Sequence, residues 1–388
     1  MGSIRDNGAA RGVVYVPKTG ALPHGHECAT HRAQAHRLAD LLGQDFVGDL
    51  DIEAGTVRNA GVTGGLPGAL PLHAYFVPAD SISTEAAAQL GVRDEQDLFG
   101  GVVPHPFVAT KTITHGLLAP EAQAPTGWSR DFAEAVREVT LPGYSAFALD
   151  DALAAGRRLL ERGPVRAKLA LGVGGLGQAV AQDAAQLERV LREFDADAGL
   201  HEGVVLESNL EQVATLSAGR VRLGELVVTY YGQQRLTRDN RGAEVYGGSD
   251  LVLVRGDFDA LLALDLDPPV RQALEQASIY HAAALRCYPG LFASRCNYDI
   301  AQGRDAAGRW HSGVLEQSWR IGGASGAELE AVDAFLREPE LRLVRASTGE
   351  IYGADAQAPA DARIYYWGED PHVGRLLKYA RTQGYGYT

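Results

Sequence analysis

The chain has 388 residues, 46% of them hydrophobic and 22% charged, with a formal net charge of −13. That length exceeds one simple core and suits two or three subdomains; the acid excess excludes nucleic acid as the main partner, because a phosphate-neutralising surface needs a basic excess. No apolar run reaches the ~18 to 20 residues that cross a bilayer, so no membrane partner is expected, and without an apolar leader after Met1 the expected compartment is the cytoplasm.

Residues 12–17 read as a buried strand, and 28–43 carry the apolar period of a helix. Positions 46–48 and 74–78 are β-rich, and Ser83 is a cap for a helix over 83–90. Strands alternating with helices imply a parallel α/β unit over 1–105, with the Gly-, Pro- and Thr-rich stretch 54–72 as a loop. His24, His26, Glu27, Cys28, His31 and His36 crowd the start of the first helix, but their spacing matches no zinc pattern. They read as a loop and helix start, with His26 and Glu27 as substrate contacts in second place. Cys28, Cys287 and Cys296 have no close-paired spacing and fit reduced, buried thiols.

From Ala109 through Lys111 to Leu118 the spacing is helix-like until Pro120 and Pro125 break it, with His115 as a partner satisfied within the fold. A helix is expected over 148–162, capped by Asp150, with Arg157, Arg158 and Arg162 toward the end that suits the helix dipole.

Only four of the 36 basic residues are lysines. In so arginine-biased a chain a retained lysine points to a need for an ammonium, a point charge that fits beside a phosphate where a guanidinium brings a planar fork. Lys168 ends a short apolar strand; Gly172, Gly174, Gly175 and Gly177 follow, and a helix-like run begins at Gln178. The layout reads as a phosphate grip in which glycines let backbone N–H groups close on oxygens. A β-hairpin tip is the alternative. The loop lacks the Gly-Lys-Ser/Thr end of a P-loop. Gly172, Gly174 and Gly177 also match a dinucleotide fingerprint, with Glu193 or Asp195 near the ribose-acid distance, although this unit begins at mid-chain after a helical stretch.

A helix over 180–194 and a strand over 203–207 come next, then strands over 225–231 and 251–254 and a helix over 268–287. The polar stretch from Tyr230 to Thr237 suits an acceptor site or an exposed hairpin equally. A hairpin over 303–308 joins a strand with Asp299 near its end to one carrying Glu316. Antiparallel pairing could bring the two carboxylates together. Facing carboxylates repel unless a cation lies between them, and Mg²⁺ is the usual one beside nucleotide phosphates; either acid alone reads as a solvated strand end. Gly322 and Gly323 then permit close approach to a ligand before a helix over 327–337, and Tyr365, Tyr366, Trp367 and Tyr379 suit core or interface.

In order, Lys111, Lys168 with its glycine loop, Glu207 with Leu210-Glu211, Asp299, and Leu315-Glu316-Gln317-Ser318-Trp319-Arg320-Ile321-Gly322-Gly323 resemble the ATP-grasp superfamily over about 105–330. More narrowly, Phe99-Gly100-Gly101-Val102-Val103-Pro104-His105, Ala109-Thr110-Lys111, Tyr246-Gly247-Gly248-Ser249-Asp250-Leu251 and Gly313-Val314-Leu315-Glu316-Gln317-Ser318-Trp319-Arg320 resemble a bacterial family known as a domain of unknown function.

The ATP-grasp resemblance implies an α/β fold with an α+β lid. The N-terminal Rossmann-like pre-ATP-grasp domain would span 1–105, a linking helical segment 106–139, the lid 140–206 and the catalytic subdomain 207–388. It implies ATP and Mg²⁺ as cofactors and a small-molecule substrate with a carboxylate, and leaves a homo-oligomer open. Lys111, Lys168 and the backbone at Gly174, Gly175 and Gly177 would contact phosphates. Glu207 and Leu210 would flank the adenine hinge, Glu211 would bind ribose, Asp299, Glu316 and Ser318 would hold magnesium, and Arg320 would meet phosphate or an acyl-phosphate. Ser318 stands where the superfamily usually has Asn, so a second metal position is in question. The implied reaction transfers the γ-phosphate to a carboxylate and then admits an amine or other nucleophile, chemistry that needs charge neutralisation and positioning more than a protein nucleophile. A kinase on the same fold and a non-catalytic ATP-binding protein are the rivals; a nicotinamide enzyme rests on the glycine string alone.

Overall fold

The computed structural model describes residues 11–18, 25–51, 56–58, 73–172 and 177–386. Val13, Val14, Tyr15 and Val16 are apolar without alternation, the pattern of a strand covered on both faces. Their strand, Arg11–Val16, runs parallel to Asp45–Asp51 on one side and His73–Pro78 on the other. The helix His26–Leu42 makes the first crossover and stops at Gly43, whose φ of 65° is left-handed and unstrained only for glycine. Ser83 accepts from the Ala86 N–H and caps Thr84–Leu90. Thr56–Arg58 pairs antiparallel with 49–51, so part of the expected 54–72 loop is strand, and 59–72 lie outside the described residues.

The stretch around Lys111 is two 3-10 turns, Pro106–Ala109 and Lys111–Thr114, in place of an α-helix. The Thr110 side chain accepts from the Thr112 N–H and interrupts the backbone ladder, and β-branched Thr112, Ile113 and Thr114 resist an α-helical χ1. The α-helix Arg130–Val136 follows, with Ser129 as its cap.

A second, antiparallel sheet orders Gly143–Ala146, Val204–Ser208, Val165–Leu169 and Gln178–Ala181 side by side. Helices Leu149–Leu160 and Ala184–Ala198 pack against it through Leu153, Leu159, Leu187 and Leu191. Asp150 lies inside the first turn of its helix, beside Asp151, and the N-cap is Ala148; both acids still favour the dipole. Gln178 opens a strand and not a helix, since the next helix waits for Asp183, which caps it by accepting from the Gln186 N–H. The loop after Lys168 is therefore a β-hairpin tip, with Lys168 opposite Gln178. A dinucleotide fingerprint must open a helix, so that reading falls.

The third sheet has eight strands, all antiparallel to their neighbours: Trp310–Ser318, Arg295–Arg304, Glu211–Leu223, Leu226–Arg238, Glu244–Arg255, Leu343–Tyr352, Gly374–Gly386 and Arg363–Asp370. The polar run after Tyr230 continues its strand to Arg238 and forms one arm of a hairpin with Glu244–Arg255. Helix Pro268–Cys287 matches its expected bounds, and Ser325–Arg337 begins slightly early. One core joins Val13, Tyr15, Leu38 and Tyr75 of the N-terminal unit to Val228, Leu253, Val332 and Phe335. Arg37 reaches Asp333 at 2.6 Å across the same contact. Among the described residues, no helix is long and apolar enough to cross a membrane.

The strand Glu211–Leu223 can lie between its neighbours only because Gly219 has no side chain: a Cβ there would sit 2.2 Å from the Tyr230 ring and 2.5 Å from the Cys296 carbonyl oxygen. Gly219→Ala is expected to destabilise the protein by ~1–3 kcal/mol through overpacking, seen as a lower urea midpoint with an unchanged m-value; an unmoved midpoint would show that this contact relaxes freely.

Candidate functional site

Asp299 and Glu316 are direct cross-strand partners on Arg295–Arg304 and Trp310–Ser318. Asp299 Oδ1 accepts from Asn297 Nδ2 at 2.9 Å, Ser217 Oγ at 3.1 Å and Gln234 Nε2 at 3.1 Å. Burial, and next the charge of Glu316, push its carboxyl above the ordinary range, while these three donors pull the other way. Asn297 lies two residues before Asp299, hence on the same face of the strand, and opposite Ser318. Gln234 belongs to the polar stretch that the sequence offers as an acceptor site; Asn297 and Ser217 carry no role in the sequence reading, and the i, i+2 spacing of Asn297 from Asp299 is the signal that could reveal it.

Lys111 Nζ bridges two elements, donating to the Gly172 carbonyl at 2.5 Å and lying 3.0 Å from Glu316 Oε2. It ties Gly172, just after the strand of Lys168, to the strand of Glu316. Lys168 and Glu207 form an ion pair across neighbouring strands, and His115 Nε2 stands 3.4 Å from the other Glu207 oxygen. Burial works to raise the Glu207 pKa, but Lys168 and His115 outweigh it and hold the carboxyl at about 2. His115 is thus a partner of the fold, though it sits just past a 3-10 turn and not on a helix.

Leu210 is buried against Leu141, Ala301 and Leu315 between the strands Val204–Ser208 and Glu211–Leu223. Glu211 is exposed at the start of its strand, opposite Arg304. Gly177 has a φ of 70° and its carbonyl accepts from the Leu169 N–H at 2.8 Å, closing the hairpin tip; Gly174 and Gly175 lie outside the described residues.

A cavity of about 430 Å³ brings Asp299, Glu316, Ser318 and Arg320 together with the N-terminal helix and the third sheet. Lys168, Glu207, Leu210 and Glu211 are not on its wall. Within it burial, and next the charges of Arg320 and Lys378, push His31 down to about 3, leaving a neutral imidazole. A larger cavity of about 800 Å³ lies between Gly143 and Tyr144 of the lid sheet and Gln272 and Gln276 of helix Pro268–Cys287, and touches none of the predicted phosphate or metal residues. Among the described residues no three His, Cys, Asp or Glu side chains are grouped to hold a metal. The two facing carboxylates suit a magnesium ion that arrives with phosphate oxygens, since Mg²⁺ needs only one or two protein carboxylates there.

A parallel α/β unit, a small antiparallel sheet whose hairpin begins with the strand of Lys168, and a larger antiparallel sheet with facing carboxylates make up an ATP-grasp fold. A biotin carboxylase–β-γ-ATP complex from Campylobacter jejuni superposes on 96% of this chain and 87% of its own, with a TM-score of 0.50 at 10% identity, a likeness of fold. Phosphoribosylamine–glycine ligase from Thermotoga maritima aligns over 97% and 93% of the two chains at 14% identity and a TM-score of 0.49. D-alanyl-alanine synthetase A from Vibrio cholerae does so over 80% and 89% at 11% identity and 0.47. No curated protein matches the chain. The family described as "Protein of unknown function (DUF3182)" matches residues 14–380, and the chain belongs to it.

Glu207 has a folded-state pKa below its unfolded value, so its stabilising contribution is complete above pH ~4.5 and is lost as the pH falls toward 2. Glu207→Gln leaves Lys168 buried without its counter-charge and is expected to cost ~3–5 kcal/mol at pH 7. Urea unfolding at pH 7 and pH 3 should show a wild-type advantage that narrows at the lower pH; an advantage independent of pH would remove the charge from the account.

Proposed function

We propose that this protein is an ATP- and magnesium-dependent ligase that joins a substrate carboxylate to an amine, or a comparable nucleophile, through an acyl-phosphate. The observation that carries the reading is the register pair of Asp299 and Glu316 on the cavity wall, with Arg320 beside them and Lys111 reaching Glu316. Bound magnesium would supply charge neutralisation between the nucleotide phosphates and these two acids.

The chain's own residues account for the other requirements. Lys111, at Gly172 and Glu316, and Lys168, on the strand before the glycine loop, would supply ammonium groups for the phosphates. Leu210, buried with Leu141 and Ala301 where the strand from Glu211 begins, would back the adenine, and Glu211, exposed at the strand start, would reach the ribose. Ser318 is the third metal-side group, with the Asn297 carboxamide opposite it. Arg320 orients the acyl-phosphate. In the first step a carboxylate oxygen forms the bond to the γ-phosphorus and ADP leaves; in the second the amine nitrogen bonds to the acyl carbon, phosphate departs and the amine gives up a proton. On this reading 1–105 is the pre-ATP-grasp unit, 106–139 the link, 140–206 the lid and 207–388 the catalytic unit.

Thermal-shift titration with ATP, with and without magnesium, tests the reading. Wild type should gain ~2.7 kcal/mol of stability at a hundredfold excess over the dissociation constant, and Lys168→Ala should lose that gain. Glu316→Gln should fold normally but show no magnesium dependence and no ADP release. A shift of equal size in Lys168→Ala, or none with ATP, would overturn the assignment; a stable phosphate ester with no amide would make the protein a kinase.

A further inference from the structure

The register that pairs Asp299 with Glu316 also pairs Asn297 with Ser318 two residues along, so four side chains share one face of the hairpin and line the same cavity. Among the described residues no third His, Cys, Asp or Glu joins the two carboxylates. A further protein oxygen for magnesium would therefore come from a neutral side chain.

The hydrogen bonds of Asn297 do not balance. Its Nδ2 donates to Asp299 Oδ1 at 2.9 Å, and its Oδ1 stands 3.0 Å from Tyr230 Oη. A phenol has one proton to give. The Tyr230 proton goes to Glu328 Oε1, which is nearer at 2.6 Å and carries the charge that balances Arg295. Asn297 Oδ1 therefore faces a lone pair on Tyr230, in a place that calls for an N–H.

Half a revolution of χ2, a torsion with two nearly equivalent settings, corrects this: Nδ2 then donates to Tyr230, and the carboxamide oxygen lies beside Asp299 Oδ1. Two oxygens at the 2.9 Å that separates these atoms repel unless a cation or a proton lies between them. Neighbouring ligand oxygens around octahedral magnesium, with bonds of about 2.0–2.1 Å, are also about 2.9 Å apart. Ser217 and Gln234 donate to Asp299 in either setting and keep it in place.

Resting on the ligase reading, we propose that Asn297 is a metal ligand that turns over when magnesium arrives. Without the ion its N–H holds Asp299; with the ion its oxygen joins Asp299 and Glu316 while the N–H moves to Tyr230. Tyr230 meets neither metal nor nucleotide and acts as a positioning residue, through the lone pair it keeps free by giving its proton to Glu328.

The test uses protein made with ¹³C-labelled asparagine, Mn²⁺ in place of magnesium, and a non-hydrolysable ATP analogue. Pulsed electron–nuclear double resonance of the bound ion is expected to show a carboxamide ¹³C coupled to the metal. Asn297→Ala should abolish that coupling and weaken binding of the metal complex by about tenfold, with affinity for the analogue alone unchanged. Tyr230→Phe, which removes the acceptor for the turned N–H, should weaken the metal complex in the same metal-specific way and add nothing to Asn297→Ala. Bound Mn²⁺ without an asparagine coupling, a coupling that survives Asn297→Ala, or wild-type metal affinity in either variant would overturn the proposal. Should urea unfolding show that Asn297→Ala does not fold, Asn297→Val takes its place under the same criteria. Wild type that binds no Mn²⁺ with the analogue overturns the ligase reading and this assignment together. The coupling in a protein that makes a phosphate ester from ATP, or consumes none, retires the ligase reading and leaves Asn297 a metal ligand.

Discussion

The site's geometry depends on one buried ion pair, Arg295 with Glu328, 2.7 Å apart and with side-chain exposures of 2% and 0%. Isolated, such a pair is weak evidence of stability, because desolvation offsets the attraction. Its other bonds give it weight. Arg295 Nη1 donates to the Arg320 carbonyl at 2.5 Å and the Ser318 carbonyl at 3.4 Å, clamping the backbone where Arg320 leaves the sheet. Tyr230 Oη lies 2.6 Å from Glu328 Oε1 and 3.0 Å from Asn297 Oδ1, and Asn297 donates to Asp299. Asp299 and Arg320 are therefore referenced to a single rigid point. The same Glu328 sits in the first turn of Ser325–Arg337, where a negative charge suits the helix dipole, and that helix packs on the N-terminal unit. One side chain thus ties the carboxylate strands to the wall that carries His31.

What the sequence made legible was what is local. Asp299 and Glu316 face each other across one hairpin, so alternation and a turn sufficed to pair them. Ser83 and the bounds of Pro268–Cys287 were readable for the same reason. Lys168 was picked out by the rarity of lysine, yet the strand after its loop was taken for a helix, because Gln178-Ala179-Val180-Ala181 is too short and alanine-rich to declare a period. The three C-terminal strands escaped notice: among glycines, charges and exposed aromatics such as Trp367, which Arg375 covers at 4.2 Å, no clean alternation survives. Long-range partners had no signal at all. Arg295 and Glu328, Lys111 and Glu316, and His115 and Glu207 meet through tertiary packing. His31 stands out in the sequence only as part of a histidine cluster, whose His24 lies outside the described residues, and Gln34 not at all, since an unpartnered amide oxygen is visible only once its surroundings are known.

Both lysines singled out for phosphate already have carboxylate partners, Lys168 with Glu207 and Lys111 with Glu316. The two pairs differ in kind. Glu207 is 2% exposed and shared with His115, so Lys168 stays anchored and presents its charge from a fixed place. Glu316 is 38% exposed, and a partly exposed pair is worth little by itself. On the ligase reading, a nucleotide carrying magnesium would offer each member of that second pair a partner of opposite sign at once: phosphate for Lys111, the metal for Glu316. Both would stay compensated through the exchange, so the Coulombic cost of separating them would be small. Lys111 also donates to the Gly172 carbonyl, so on that reading the exchange that frees Glu316 would act on the same ammonium that holds Gly172.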